Sequence, residues 1–170
     1  MRPADHPDFF RLPPPAGRSR ESTIRLDASG RFSHEGAPVE HAGMARAFAS
    51  WIARHPDDGR YILSNGWDWS YFTVDDVPFF VERVFERDGR PWLELSDTSV
   101  EPLEPKGLRM PREDALYVRV KGGEFEARFG REAQLGLLPW LEERNDGRLE
   151  LRIAADRHLL APLLAPAENG

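Results

Sequence analysis

Three aromatic rings on alternate residues, Trp67, Trp69 and Tyr71 in the stretch SNGWDWSYF, are the side chains of this sequence best suited to hold a planar ligand. Arg60 stands shortly before them, and an arginine at the end of an aromatic row can stack on a base and pair with its phosphate. The commoner use of large rings at alternate positions is the dry face of a sheet. His34 beside Glu35 is a second candidate, because imidazole titrates near neutrality and a neighbouring carboxylate makes an acid–base pair chemically reasonable. Adjacent residues on a strand point to opposite faces, however, and Glu35-Gly36 reads more plainly as a turn. Asp75-Asp76 with Glu82 nearby offers the hard oxygens that magnesium or calcium prefers, yet the spacing matches no Asp-rich calcium loop and Pro78 marks a turn. Arg119, Arg128 and Arg131 bracket a hairpin; an arginine face there would grip phosphate or carboxylate, the plainer alternative being solvated surface.

The elements that must position these groups follow from periodicity. Met44, Phe48, Trp51, Ile52 and His55 recur at helical spacing up to Pro56, and Leu135, Leu138 and Leu141 repeat the stripe with Pro139 inside it, which should kink or divide that helix. Asn65-Gly66 predicts a two-residue type I′ hairpin in which Ser64 faces Trp67, Ile62 faces Trp69 and Arg60 faces Tyr71. Asp88-Gly89 predicts a second hairpin pairing Phe85 with Trp92 and Arg83 with Glu94, on opposite faces of the sheet. An internal similarity runs through the chain: Gly30-x-Phe32 matches Gly123-x-Phe125, Trp51-Ile52 matches Trp140-Leu141, and Asp58-Gly59-Arg60 matches Asp146-Gly147-Arg148. The expected fold is α+β, two related ββαβ-type units made by internal duplication and joined by central antiparallel hairpins. Its expected divisions are an extended Pro-rich arm at residues 1–22, a first unit at 23–100, a connector at 101–114 and a second unit at 115–170. The end of the chain, from Ala154, reads as a short helix or an extended closing segment.

Composition removes several functions. At 170 residues the chain is long enough to bury a core without staples, and it has no cysteine, which excludes disulfides, thiol catalysis and thiolate metal sites and suits a reducing cytoplasm. A net charge of −6 argues against general nucleic-acid binding, and no apolar run has the length a membrane span requires. There is no nucleophile elbow, no Walker loop, no dinucleotide fingerprint and no histidine pair at metal-ligand spacing, so no cofactor or metal is expected and a binding module is favoured over an enzyme.

The stretches DASGRFSHEGAPV (Asp27 to Val39), VDDVPFFVERV (Val74 to Val84) and YVRVKGGEFEAR (Tyr117 to Arg128) resemble the bacterial family known as domain of unknown function 1285, DUF1285. The resemblance implies a duplicated α+β fold whose second half is superficially like a pleckstrin-homology domain. It also implies a cleft between the halves, suggested for the family as a nucleotide-type ligand site with a signalling role. Where the family tends to carry a TPVEK-like segment this chain has SNGWDW, and where the family closes on aromatic residues it has LRIAADRHLLAP. The expected function is thus a non-catalytic ligand-binding and signalling module, with Arg60, Trp67, Trp69 and Tyr71 as stacking and anion contacts and His34, Arg119 and Arg128 as additions. The alternatives are a hydrolase or transferase using His34 with nearby carboxylates, or a protein-interaction domain using the Pro-rich arm or the apolar tail.

Overall fold

The computed structural model describes residues 1–112 and 114–160, so the end of the expected apolar tail lies outside the described residues. The fold is α+β, mostly strand, with two α-helices and four sheets among the described residues. No helix is long and apolar enough to cross a membrane.

The chain divides after Pro78. In the first unit, β1 (Arg25–Leu26), β2 (Phe32–His34) and β3 (Ala37–Pro38) precede α1 (Ala42–Trp51). Then β4 (Ile52–Arg54), β5 (Tyr61–Ser64) and β6 (Trp69–Tyr71) form an antiparallel meander, and β7 (Thr73–Val74) returns to pair in parallel with β1. The apolar stripe predicts a helix running to His55, but α1 stops at Trp51. Ile52 turns to extended backbone and pairs with Leu63, burying its branched side chain in a strand.

The Asn65-Gly66 hairpin also differs from expectation. Ser64 pairs with Trp69 and Ile62 with Tyr71, two residues away from the expected register, and the loop holds four residues instead of two. Only Gly66 in this loop has a positive φ, whereas a type I′ turn needs two. The Asn65 carboxamide oxygen explains the difference, accepting the backbone N–H groups of Trp67 at 2.8 Å and Asp68 at 2.9 Å and so widening the turn. A shift of two keeps every side chain on its face, so Ile62, Ser64, Trp69 and Tyr71 still share a side.

In the second unit, β8 (Phe79–Arg87), β9 (Arg90–Leu95), β10 (Val100–Pro102), β11 (Arg109–Arg112), β12 (Ala115–Val120) and β13 (Phe125–Phe129) make one six-stranded sheet in the order β10-β9-β8-β13-β12-β11. Residues expected as a connector at 101–114 thus supply β10 and β11. The second hairpin forms as predicted: Asp88 and Gly89 have φ of 54° and 73°, Phe85 pairs with Trp92, and Arg83 pairs with Glu94. One detail needs correction, for residues 83 and 85 lie two apart and share a face, with the Arg83 guanidinium 4.7 Å from the Phe85 ring centre.

After the sheet come α2 (Arg131–Gly136) and a 3-10 turn at Leu138–Trp140, then the meander β14 (Leu141–Glu143), β15 (Leu149–Ile153) and β16 (Asp156–Leu160). Pro139 does divide the helical stretch, but the Leu135–Leu138 stripe is not its buried side. Those two side chains are 58% and 57% exposed, and Ala133 and Leu137 face inward instead. The extended alternative for the closing segment is the one adopted, as β16.

Both units run from a hairpin through helical turns into a three-stranded meander, and their Asp-Gly-Arg turns close in the same way although the first is one residue longer. The His55 N–H reaches the Arg60 carbonyl at 2.8 Å and the Arg144 N–H reaches the Arg148 carbonyl at 2.8 Å. Asp58 and Asp146 each accept the N–H two residues ahead. An unpredicted strand, β4 or β14, lies between each helical stretch and its Asp-Gly-Arg.

α2 packs on β8 so closely that a Cβ at Gly136 would sit 3.2 Å from the Val84 carbonyl oxygen and 3.3 Å from its Cβ. Gly136→Ala is therefore expected to destabilise by about 1–2 kcal/mol in denaturant melts, although alanine is the better helix former. An unchanged midpoint would show that the helix can slide away.

Candidate functional site

The aromatic row is assembled, but the protein covers it with its own chain. Trp69 is 6% exposed and shares an apolar cluster with Ile62 and with Phe9 of the N-terminal arm. Phe10 lies 6.1 Å from the Trp69 ring, and the Arg20 guanidinium stacks 4.5 Å from its centre. The arm is thus not wholly extended: it forms 3-10 turns at Pro3–Asp5 and Phe9–Arg11 and caps the face carrying Ile62, Trp69 and Tyr71. α1 packs against β5 of the same sheet, in which Leu63 is also buried.

Arg60 does meet Tyr71, its guanidinium 3.7 Å from the ring centre, and it is also forked on the Glu21 carboxylate at 2.8 and 3.0 Å. The Tyr71 hydroxyl donates to Asp58 at 2.6 Å, which holds the phenol above its ordinary value and keeps it protonated. The same bond holds the Asp58 carboxyl below the usual carboxylate range. Trp67 is not part of this group; it sits in the widened loop, 66% exposed. Between the rings lies His55, a residue the helical stripe concealed. Its Nδ1 accepts the Asp57 N–H at 3.1 Å, which leaves Nε2–H to donate to the Phe10 carbonyl at 3.0 Å. The turn residues Pro56-Asp57-Asp58-Gly59 after His55 are the signal that would have placed it off the helix.

His34 ends β2, with Glu35 and Gly36 at φ 52° and 79° making the turn to β3. It lines a shallow, mainly apolar groove with Met44 and Phe48 and hydrogen-bonds no carboxylate among the described residues. Asp75 accepts the Arg25 Nε–H at 2.7 Å, an ordinary ion pair at a turn. Among the described residues no group of three histidine or carboxylate side chains is arranged to hold a metal. Arg119 pairs across from Glu126 on an exposed part of β12, and the Arg128 guanidinium stands 5.7 Å from the centre of the Tyr117 ring.

A site that spacing did not reveal lies inside the second unit. A half-open cavity of about 620 Å³ is bordered by the tip of the β8–β9 hairpin, by residues 102–106 and by the β15–β16 turn. Trp92 forms one wall, and the Arg87 guanidinium lies 4.3 Å from its ring centre. Arg87 and Arg90 stand directly opposite each other in the ladder, where like charges repel, and Lys106 and His158 also line the cavity. Neither Arg90 nor Lys106 has a carboxylate partner among the described residues, although Asp88, Glu104 and Asp156 stand in the same lining.

Two solved structures share this architecture. A DUF1285 family protein from Silicibacter pomeroyi DSS-3 superposes with a TM-score of 0.64 over 93% of this chain and 88% of its own, at 21% identity. The fold is that of the DUF1285 proteins. A second DUF1285 family protein, from Shewanella baltica OS155, matches with a TM-score of 0.55 over 71% of this chain and 94% of its own, at 20% identity. No family model matches the chain, nor does any curated protein. Within the DUF1285 fold, the cavity residues lie on elements far apart in sequence, which is why no short motif marks them.

Proposed function

We propose that this chain is a non-catalytic ligand-binding and signalling module, and that its ligand is a small anionic, ring-bearing molecule of the nucleotide type held in the cavity of the second unit. The observation that carries the reading is the pair Arg87 and Arg90, opposed across a tight turn beside Trp92. Two cations held face to face gain from an anion shared between them, and a tryptophan wall suits a base. The carboxylates Glu104 and Asp156 complement such a ligand, since carboxylates hold ribose hydroxyls in many nucleotide sites. Absence of cysteine supports a reducing compartment such as the cytoplasm. The shared order of hairpin, helix and meander, with the matched Asp-Gly-Arg turns, supports reading the two runs as copies of one segment.

The test is a thermal-shift and calorimetric screen of mononucleotides and cyclic dinucleotides, with inorganic phosphate as the control. A nucleotide at about one hundred times its Kd should add roughly 2.7 kcal/mol of stability. Arg90→Ala should weaken binding about tenfold or more, as should Trp92→Ala, while leaving the unliganded melt little changed for the exposed Arg90. No stabilisation by any nucleotide at millimolar concentration would overturn the reading.

A further inference from the structure

We infer that the face formed by Ile62, Trp69, Tyr71 and His55 is a docking surface for an N-terminal arm, and that the arm of a second copy of this chain can take the place of the chain's own. The two copies would then exchange residues 1–13 about a hinge at residues 14–19. The arm meets this surface through apolar, hydrogen-bonded and charged contacts together. Phe9 is 4% exposed against Ile62 and Trp69, the Phe10 carbonyl accepts the His55 Nε2–H, and Arg11 is forked on Asp57 at 3.0 and 2.8 Å. The Ala4 N–H reaches the Gly66 carbonyl at 3.1 Å. None of these contacts depends on which chain supplies the arm, so exchange would preserve them all. Arg20, whose NH2 group binds the carbonyls of Leu12 and Pro13, would make the same bonds to the partner's arm.

What differs between the closed and exchanged forms is the hinge. In the closed form the chain reverses at residues 15–18, where the Arg18 N–H bonds the Pro15 carbonyl and Gly17 has a φ of 76°. Nothing lies within 4 Å of where a Gly17 Cβ would be, so the demand on this residue is made by the backbone alone. The run Pro13-Pro14-Pro15 resists bending and favours an extended polyproline path. Extended, the six hinge residues would span roughly 19 Å. The closed form therefore depends on a turn that glycine alone accepts without strain, and opening that turn lets an identical arm be exchanged at little cost, since one set of contacts replaces an identical one.

A single substitution in the hinge separates this idea from simple docking. Gly17→Val strains only the reversed, closed form, because a β-branched residue at positive φ is disfavoured. It should therefore raise the dimer population, by about tenfold for each arm released, in sedimentation or light-scattering measurements across a concentration series. The natural absence of cysteine allows a direct check. Arg11→Cys protein mixed with Asp57→Cys protein and treated with a short bis-maleimide should give a covalent mixed dimer, more of it in the Gly17→Val background. A Gly17→Val protein that stays monomeric with its arm merely loosened, and a mixture giving no mixed dimer, would each overturn the exchange.

Discussion

Trp69→Ala is expected to destabilise the first unit by about 3–5 kcal/mol, the usual range for emptying a buried aromatic site. The ring it removes touches both layers of its surroundings. His55 lies 5.0 Å away and Tyr71 5.1 Å away, the Arg20 guanidinium stacks on one face, and Phe9 and Ile62 complete the cluster. Loss of the ring should free the arm as well, so limited proteolysis should now cut within residues 13–19. The informative control is Trp69→Phe. The indole Nε1–H is buried and has no hydrogen-bond partner among the described residues, so phenylalanine would forfeit packing volume and no hydrogen bond. It should cost about 1 kcal/mol or less and leave the arm protected. If the two substitutions prove equally harmful in urea melts, the indole N–H has an acceptor and the packing account fails.

Asp97→Ala should be the most damaging polar substitution, at about 2–4 kcal/mol, because it strands an ammonium group in a half-buried site. Asp97 accepts the Lys121 Nζ at 2.7 Å through one oxygen, and the Ser99 N–H and hydroxyl at 3.0 and 2.6 Å through the other. Lys121 Nζ also donates to the Ser99 hydroxyl at 3.3 Å and lies 4.8 Å from the centre of the Phe79 ring, neutral contacts that do not replace the lost carboxylate charge. Burial pushes the Asp97 carboxyl upward, but the Lys121 ammonium and the Ser99 donors outweigh that and hold it below the ordinary carboxylate value. A group depressed in the folded state contributes its stability above its unfolded value, near 4, and loses it as the pH falls through the folded value. Melts between pH 7 and pH 2 should accordingly show a steep acid loss in the parent that is shallower in the variant. Parallel curves for the two proteins would remove Asp97 from the acid response.

Much of the fold was legible because it depends on local chemistry. Asp88-Gly89 admits one tight turn, and the pairing of Phe85 with Trp92 followed from it. Asn65-Gly66 looks equally decisive but failed, since the Asn65 side chain had backbone donors two and three residues ahead to satisfy and opened the loop. Ile52 departs from its helical spacing for a different reason: pairing with Leu63 wins once α1 ends. The expected aromatic row is only partly assembled. Arg60, Trp69 and Tyr71 do come together, yet what covers them is a segment about fifty residues earlier in the chain, a relation no periodicity contains. The cavity of the second unit was invisible on the same grounds, being assembled from residues 87–92, 102–106 and 153–158.

The centre of the six-stranded sheet carries one last consequence. β8 finds its inner neighbour in β13, a parallel strand whose pairing joins Phe79 to Ala127 and Val81 to Phe129. A ribosome making this chain must therefore release β8, β9 and β10 well before the strand that covers the open edge of β8 exists. During that interval the edge presents unpaired backbone groups beside the apolar side chains of Phe79 and Val81, the kind of surface on which nascent chains adhere to one another. Closing a sheet over so long a loop is also slow. Refolding of the second unit should thus be limited by the arrival of β13, and the yield of folded protein in synthesis should depend on how quickly residues 96–129 follow.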